Sequence, residues 1–132
     1  MIEARRVLRP GGAILIIGLD PHTALDTWWI YDYFPSSLKA DRARYLSTAS
    51  IRAQLEAAGF VDAATEVAQH FPAAMPFAVA VERGHVDRRS KSQLMVISET
   101  EYEEGLRRLR SEQPILHADL RLHATVAWNA GL

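Results

Sequence analysis

The sequence of 132 residues contains no cysteine. This absence excludes disulfides, thiolate metal ligands, thiol nucleophiles and cysteine-ligated iron–sulfur clusters. Any chemistry must therefore come from oxygen and nitrogen groups or from a bound cofactor. An excess of either charge is also missing, since 15 basic and 16 acidic side chains leave a formal net charge of −1. Without a basic field, neither nucleic acid nor an anionic membrane surface is an expected partner.

Long apolar runs are missing as well. The two longest, residues 13 to 17 and 73 to 81, fall short of the roughly 20 residues that cross a bilayer. The N-terminal residues include no apolar segment with a small-residue cleavage site behind it, so they do not form a secretory signal. We therefore expect a cytoplasmic protein with no membrane association. The remaining composition, with 48% hydrophobic and 23% charged residues, is typical of one globular domain.

Several motifs that carry chemistry are absent. The five histidines show neither the paired helical spacing nor the clustering of a metal site, so we predict no bound metal. No Gly-x-Ser-x-Gly motif for a serine nucleophile occurs. The turn Pro10-Gly11-Gly12 precedes an apolar run and not a helix, which argues against a phosphate-binding loop. The basic run Arg88-Arg89-Ser90-Lys91 is the only feature of a nucleic-acid binder, and such runs are more often solvated loops.

The hydrophobic pattern predicts an α/β fold. A short helix over residues 2 to 9 precedes a strand over residues 13 to 18, whose unbroken apolar run is typical of a parallel strand covered on both faces. Alternation predicts a half-exposed strand at residues 61 to 71 and a C-terminal strand at residues 119 to 128. Residues 73 to 112 read as a mostly helical segment between these two strands.

Turn and capping residues predict where individual helices begin and end. Pro21 is suited to open a helix that follows the first strand. Thr48 is suited to cap a later helix, which Gly59 and the apolar residue behind it would end. Ser98 and Glu101 form a capping box at the start of another. Further helices are predicted over residues 37 to 46 and 73 to 83, and residues 93 to 97 are left open between strand and extended chain.

The segment behind the first strand holds the candidate site residues. Ligands of open α/β sheets bind at the carboxyl ends of strands, and aromatic side chains beside a few polar groups suit an apolar ligand. We predict Asp20 and His22 as candidate catalytic bases. The predicted substrate-binding residues are Trp28, Trp29, Tyr31, Tyr33 and Tyr45. Two alternatives stay open, because the tryptophans are equally suited to the core and Asp20 to a helix cap.

Two stretches resemble a known family. The helix, Pro-Gly-Gly turn and strand from Glu3 to Ile17, and the segment Leu55 to Phe60 with its Ala-Gly-Phe ending, resemble class I S-adenosylmethionine-dependent methyltransferases. The resemblance implies the C-terminal half of a Rossmann-like sheet, namely strands five, six and seven, with a helical insertion between the last two. The whole chain would then be one partial methyltransferase-like domain.

The resemblance implies a reaction but no complete site. In the complete enzyme a methyl group would pass from S-adenosylmethionine to a small molecule. The family's cofactor motifs lie in the first half of the domain, and none of them has a counterpart in these residues, so no cofactor-binding residue is assigned. We therefore expect this chain alone to be inactive. The alternative is a non-catalytic dimerisation or small-ligand-binding module derived from a methyltransferase.

The same absence predicts association. The strand at residues 13 to 18 would expose an apolar edge without the strand-four neighbour that the complete fold supplies. We expect a homodimer formed by edge pairing or element exchange, or docking on a separate chain that supplies the missing half.

Overall fold

The structure, a computed structural model, describes residues 1 to 131. The chain is mixed α/β, with helices and a four-stranded antiparallel sheet, so the predicted α/β class is confirmed. It divides into two compact units. Unit 1 comprises Met1–Thr23, Tyr45–His70 and the chain from residue 121 onwards, and unit 2 comprises Ala24–Arg44 and Phe71–Leu120. No helix of the described residues is long and apolar enough to span a membrane.

The elements are short helices and two long strands. The helices are α1 (Ile2–Val7), α2 (Trp29–Tyr33), α3 (Pro35–Arg44), α4 (Thr48–Ala57), α5 (Phe77–Glu82), α6 (Ser92–Met95) and α7 (Glu99–Glu112), with a 3₁₀ turn at Arg88–Ser90. The strands are β1 (Ala13–Gly18), β2 (Thr27–Trp28), β3 (Val61–Pro76) and β4 (Ile115–Trp128). Both long strands contribute residues to both units.

In unit 1, β4 lies between β1 and β3. β4 pairs antiparallel with β1, and Thr125 stands opposite Ile16 in that register. The hydroxyl of the same Thr125 lies 2.8 Å from the hydroxyl of Thr65 on β3, so β3 occupies the other edge of β4. β1 and β3 therefore run in the same direction and are separated by a strand of opposite direction. The other edge of β1 has no strand partner in the described chain.

Helix α4 packs on one face of this sheet. Its C-terminus forms the predicted glycine cap: Gly59 has φ +91°, and the amide of Phe60 donates to the carbonyl of Leu55 at 3.0 Å. Leu55 and Phe60 are buried together with Ala127 of β4. The predicted N-cap is wrong by one residue, because the hydroxyl of Ser47, not that of Thr48, accepts the amide of Ser50.

Burial of β1 on both faces is wrong for this structure. Ile14 and Ile16 are half-buried toward α4, whereas Leu15 is 58% exposed and Ile17 is 55% exposed. Only one layer of helices covers the strand, and alternate side chains of a strand point to opposite faces. Half of its apolar run therefore faces solvent.

The C-terminal strand reverses the burial that its pattern suggests. Its polar row, with His123 and Thr125, is buried because it shares a face with Ile16 and lies under the helices. The apolar row with Val126 and Trp128 is more exposed. β4 also begins at Ile115, four residues before the predicted start, since it pairs with β2 at Ala118 and Asp119.

Two predicted helices do not begin where the sequence pattern placed them. The helix predicted from Pro21 is wrong: a turn leads into β2, and α2 begins only at Trp29. The carboxylate of Asp20 accepts the amide of His22, a local bond that competes with helix formation. Residues 73 to 76 continue β3 up to Pro76, which disfavours helical backbone before it, so α5 begins at Phe77. The segment over residues 93 to 97 was left open between strand and extended chain, and both alternatives are wrong for its first part, because α6 forms at Ser92–Met95.

The core of unit 2 surrounds α7. Ile30, Phe34, Leu94 and Leu109 are fully buried there. The hydroxyl of Ser98 accepts the amide of Glu101 at 3.1 Å, as predicted. The reciprocal half of the capping box does not form, because the Glu101 carboxylate accepts the hydroxyl of Ser36 at 2.6 Å.

Candidate functional site

In unit 1, Asp20 follows β1 in the chain and its side chain bonds to the first residue of α4. Its side chain is only 2% exposed. One carboxylate oxygen accepts the amide and the hydroxyl of Thr48, both at 2.9 Å, and the other accepts the amide of His22 at 2.9 Å. Three donors on two segments therefore hold this carboxylate in place.

These contacts favour the charged form of Asp20. Burial raises its pKa, but the hydrogen bonds from Thr48 and His22 outweigh burial and hold the pKa below its ordinary value. A carboxylate with a low pKa is a weak proton acceptor near neutral pH. The geometry suits an anchor of the loop, and the role of Asp20 as a base stays a prediction.

His22 is placed beside Tyr45, another predicted site residue. The Nε2 atom of His22 donates to the backbone carbonyl of Tyr45 at 2.8 Å. The structure thus brings Asp20, His22 and Tyr45 together in unit 1. The contact uses the backbone of Tyr45 and not its phenol, so it fixes the loop without presenting the tyrosine hydroxyl.

Substitution of Asp20 by asparagine should make stability less dependent on acid pH. The pKa of Asp20 is lower in the folded state than its ordinary value of 3.8, so unfolding releases this carboxylate to take up a proton more readily. Its stabilisation is fully present above the unfolded pKa and is lost as the pH falls through the folded pKa. At pH 7 we expect Asp20→Asn to cost about 1–3 kcal/mol. Thermal unfolding of both proteins between pH 7 and pH 2.5 measures the difference.

The control for this experiment is Glu56→Gln, an exposed carboxylate on α4. This variant should follow the unmodified protein at every pH. A constant gap between Asp20→Asn and the unmodified protein across the whole range would contradict the assigned role of the Asp20 charge.

The predicted aromatic residues of unit 2 belong mainly to its core. Trp28 and Trp29 are both buried, and Trp28 packs edge-on against Tyr31 with ring centroids 5.3 Å apart. The alternative of a core role therefore describes both indoles. The hydroxyl of Tyr33 donates to Glu112, and the Arg108 guanidinium lies 4.7 Å from the centre of its ring. Substrate contact by these residues stays a prediction.

A buried carboxylate that the sequence pattern does not single out lies next to these aromatics. Asp41 of α3 is fully buried. It accepts the hydroxyl of Tyr31 at 2.7 Å and the amide nitrogen of Gln93 at 3.1 Å, and it pairs with Arg44 at 3.2 Å. The buried row of α3 is thus polar, with Ser37 one turn before Asp41.

Unit 2 also contains a cavity of about 390 Å³, within the range of small-molecule sites. The residues that line it are Phe77, Val81, Gly84, Val86, Asp87, Tyr102, Leu106 and Arg110. None of the predicted site residues is among them. The signal in the sequence is the four-residue spacing on two helices, which places Phe77 with Val81 and Tyr102 with Leu106 on one face each.

Tyr102 stands at the polar side of this cavity. Its hydroxyl donates to the carbonyl of Val86 at 2.8 Å. Burial raises the pKa of Tyr102, the carboxylates of Asp87 and Glu103 raise it further, and the Arg110 guanidinium lowers it. At neutral pH the hydroxyl therefore keeps its proton and acts as a hydrogen-bond donor.

The basic run at residues 88 to 91 is partly used within unit 2. A guanidinium nitrogen of Arg88 donates to the carbonyl of Ile97 at 2.6 Å, and the ammonium of Lys91 donates to the carbonyl of His85 at 3.1 Å. Burial lowers the pKa of Lys91. Arg88 and Lys91, two of the three cations of the basic run, therefore stabilise the loop. Among the described residues, no group of three or more His, Asp or Glu side chains is placed to hold a metal ion.

Comparison with known proteins identified no match in either of two searches. No protein-family model matches the chain, and no curated protein matches it.

Proposed function

We propose that this chain is part of a methyltransferase-like protein that transfers a methyl group from S-adenosylmethionine to a small molecule in the complete enzyme, and that it is inactive alone. The observation that carries the proposal is the uncovered side of β1. This strand has an apolar run suited to the interior of a parallel sheet, yet one edge and one face of it are open in the described chain.

The sheet of unit 1 supports the proposal. β1 and β3 share one direction and β4 runs opposite between them, and doubly wound sheets commonly carry an antiparallel strand near an edge. β1, β4 and β3, which we compare with strands five, seven and six of the methyltransferase sheet, thus lie side by side in this order. α1 and α4 supply the apolar side chains on one face only.

The open face extends over two strands. Leu15 stands opposite Val126 and Ala13 opposite Trp128, which is 45% exposed. Contiguous apolar surface of this kind marks an interaction site, and an unpaired strand edge is a template for pairing. We infer that either a second copy of the chain or a separate segment supplies the missing cover.

The described residues by themselves do not fit S-adenosylmethionine. The double glycine precedes β1, and its amides are already bonded, Gly11 to the carbonyl of Asn129 and Gly12 to that of Arg9. Asp20, at the carboxyl end of β1, is occupied by Thr48 and His22. Neither a glycine turn with free amides nor a free carboxylate for the ribose hydroxyls is present there, and we derive no catalytic step through this cofactor.

A second candidate function is a non-catalytic module that binds a small ligand or a second copy. The observation that favours it is the cavity of unit 2, which residues of this chain form without help from any other segment. Such a module would keep the sheet edge for association and the cavity for binding.

Calorimetry with S-adenosylhomocysteine, with light scattering on the same samples, tests these proposals. The isolated chain should not bind the ligand at millimolar concentration and should associate as its concentration rises. The native assembly, purified from source cells through a tag on this chain, should bind it at micromolar concentration. Replacement of Leu15 and Ile17 by lysine together should abolish association and leave the helical signal in circular dichroism unchanged.

The matched control is Met95→Lys, which changes an equally exposed apolar side chain in unit 2. It should associate like the unmodified chain. Micromolar binding by the isolated chain would contradict its inactivity, and a monomer at all concentrations would contradict the role of the β1 edge. A homodimer as the native assembly, without ligand binding, would favour the non-catalytic module.

A further inference from the structure

The cavity of unit 2 has an apolar floor. Phe77, Val86 and Leu106 line it and are buried, and they come from α5, the following loop and α7. A floor made of one aromatic and two aliphatic side chains suits an apolar group of similar size. The volume of about 390 Å³ leaves room for a ring or a branched chain.

The rim of the same cavity carries one charge of each sign. Asp87 precedes the 3₁₀ turn, and Arg110 lies two turns of α7 beyond Tyr102. Within the described part of the chain, no ion pair joins the two residues, and no hydrogen bond or ion pair uses the Arg110 guanidinium. One oxygen of Asp87 accepts the amide of Arg89 at 2.7 Å, and the structure shows no bond to the other oxygen among those residues.

Asp87 and Arg110 both influence the hydroxyl of Tyr102. Asp87 and Glu103 raise the pKa of the Tyr102 hydroxyl and Arg110 lowers it, and of these three charged residues only Asp87 and Arg110 line the cavity. Tyr102 itself lines the cavity. An anion and a cation thus line one apolar cavity with no ion pair between them.

We propose that this cavity binds a free amino acid with an apolar side chain. Asp87 takes its ammonium group, Arg110 takes its carboxylate, and the floor takes its side chain. A purely anionic ligand would lie beside the unpaired charge of Asp87, and a purely cationic ligand beside that of Arg110. A neutral ligand would desolvate both charges without pairing either. The inference is independent of methyl transfer, since it needs neither the cofactor nor the open face of unit 1.

The test compares, by calorimetry on the full chain, four probes that share a phenyl ring on a short carbon chain. L-phenylalanine carries both charges, 3-phenylpropionate only the anion, 2-phenylethylamine only the cation and 3-phenylpropanol neither. We expect phenylalanine to bind at least about tenfold more tightly than each of the other three. Equal affinity for all four probes would overturn the proposal. The absence of phenylalanine binding at about 10 mM would overturn it as well.

Two variants separate the two charges. Arg110→Gln should reduce the affinity for phenylalanine to that for phenylethylamine, because the ligand carboxylate then loses its partner. Asp87→Asn should reduce it to the affinity of phenylpropionate, and asparagine still caps the turn, so the fold is kept. Arg107→Gln, on the exposed side of α7, is the matched control and should change nothing. Unchanged phenylalanine binding in both charge variants, with unfolding temperatures intact, would also overturn the proposal.

Discussion

Replacement of Gly105 by alanine is expected to destabilise unit 2 strongly, although alanine is the better helix former by about 1 kcal/mol. Gly105 is buried within α7. A Cβ atom there would lie 2.2 Å from Cε1 of Phe34 and 2.8 Å from the carbonyl oxygen of Tyr33. The ring is fully buried and the second atom is backbone, so neither neighbour moves freely. We expect a net loss of about 2–4 kcal/mol, which lowers the unfolding temperature by roughly 10 °C.

Two further variants identify the cause of this loss. Ser111→Ala, at an exposed position of α7, should change stability by less than about 0.5 kcal/mol. Phe34→Leu should destabilise the protein alone but relieve part of the clash when combined with Gly105→Ala. The double variant should then be more stable than the sum of the single effects predicts, by about 1 kcal/mol or more. Strict additivity, or a stabilising Gly105→Ala, would show that the two residues do not contact each other as described.

Local patterns predicted the elements whose cause is local. The Gly59-Phe60 helix end and the Ser98 cap follow from hydrogen bonds within a few residues, and both were correct. The helix from Pro21 failed because a side chain competed for the backbone: Asp20 accepts the amide of His22 and turns the chain. A helical period is therefore a weaker indication of a helix where an Asp side chain can bond to the backbone two residues further on.

Burial followed tertiary contacts that the pattern does not contain. The alternation of β4 was correct, yet Thr125 is buried and Trp128 is 45% exposed, because the register to β1 decides which row meets the helices. Leu15 and Ile17 were expected inside and lie outside, because helices cover only the other face of β1. Apolar character shows which residues can be buried, whereas the neighbouring elements determine which ones are.

The candidate site illustrates the same difference. The sequence predicted Asp20, His22 and Tyr45, and the structure brings these three together, because Asp20 and His22 after β1 bond to the chain that leads into α4. The tryptophans could not be divided between core and pocket without the packing of α7. The cavity of unit 2 was missed because its rim charges, Asp87 and Arg110, are far apart in the chain and carry no motif.

Removal of the Asp41 carboxylate should be the most costly polar substitution in unit 2. This group is fully buried and satisfies donors from α2, α3 and α6: the hydroxyl of Tyr31, the guanidinium of Arg44 and the amide nitrogen of Gln93. Asp41→Ala leaves these donors without their acceptor and opens a cavity, for an expected loss of about 3–5 kcal/mol. Tyr31→Phe removes one hydrogen bond to the charged group and should cost about 1.5–3 kcal/mol.

The order of the losses tests the network more sharply than any single value. Asp41→Asn keeps the shape and one good acceptor but presents an amide donor to other donors, so its loss should fall between those of Asp41→Ala and Tyr31→Phe. Asp32→Asn, an exposed acid on α2, should change stability by less than about 0.5 kcal/mol. Urea unfolding of the four variants measures the series. If Asp41→Ala cost no more than Asp32→Asn, the buried network would not stabilise unit 2. The polar row of α3 would then be tolerated in the core without being required, because water would satisfy the abandoned donors at little cost.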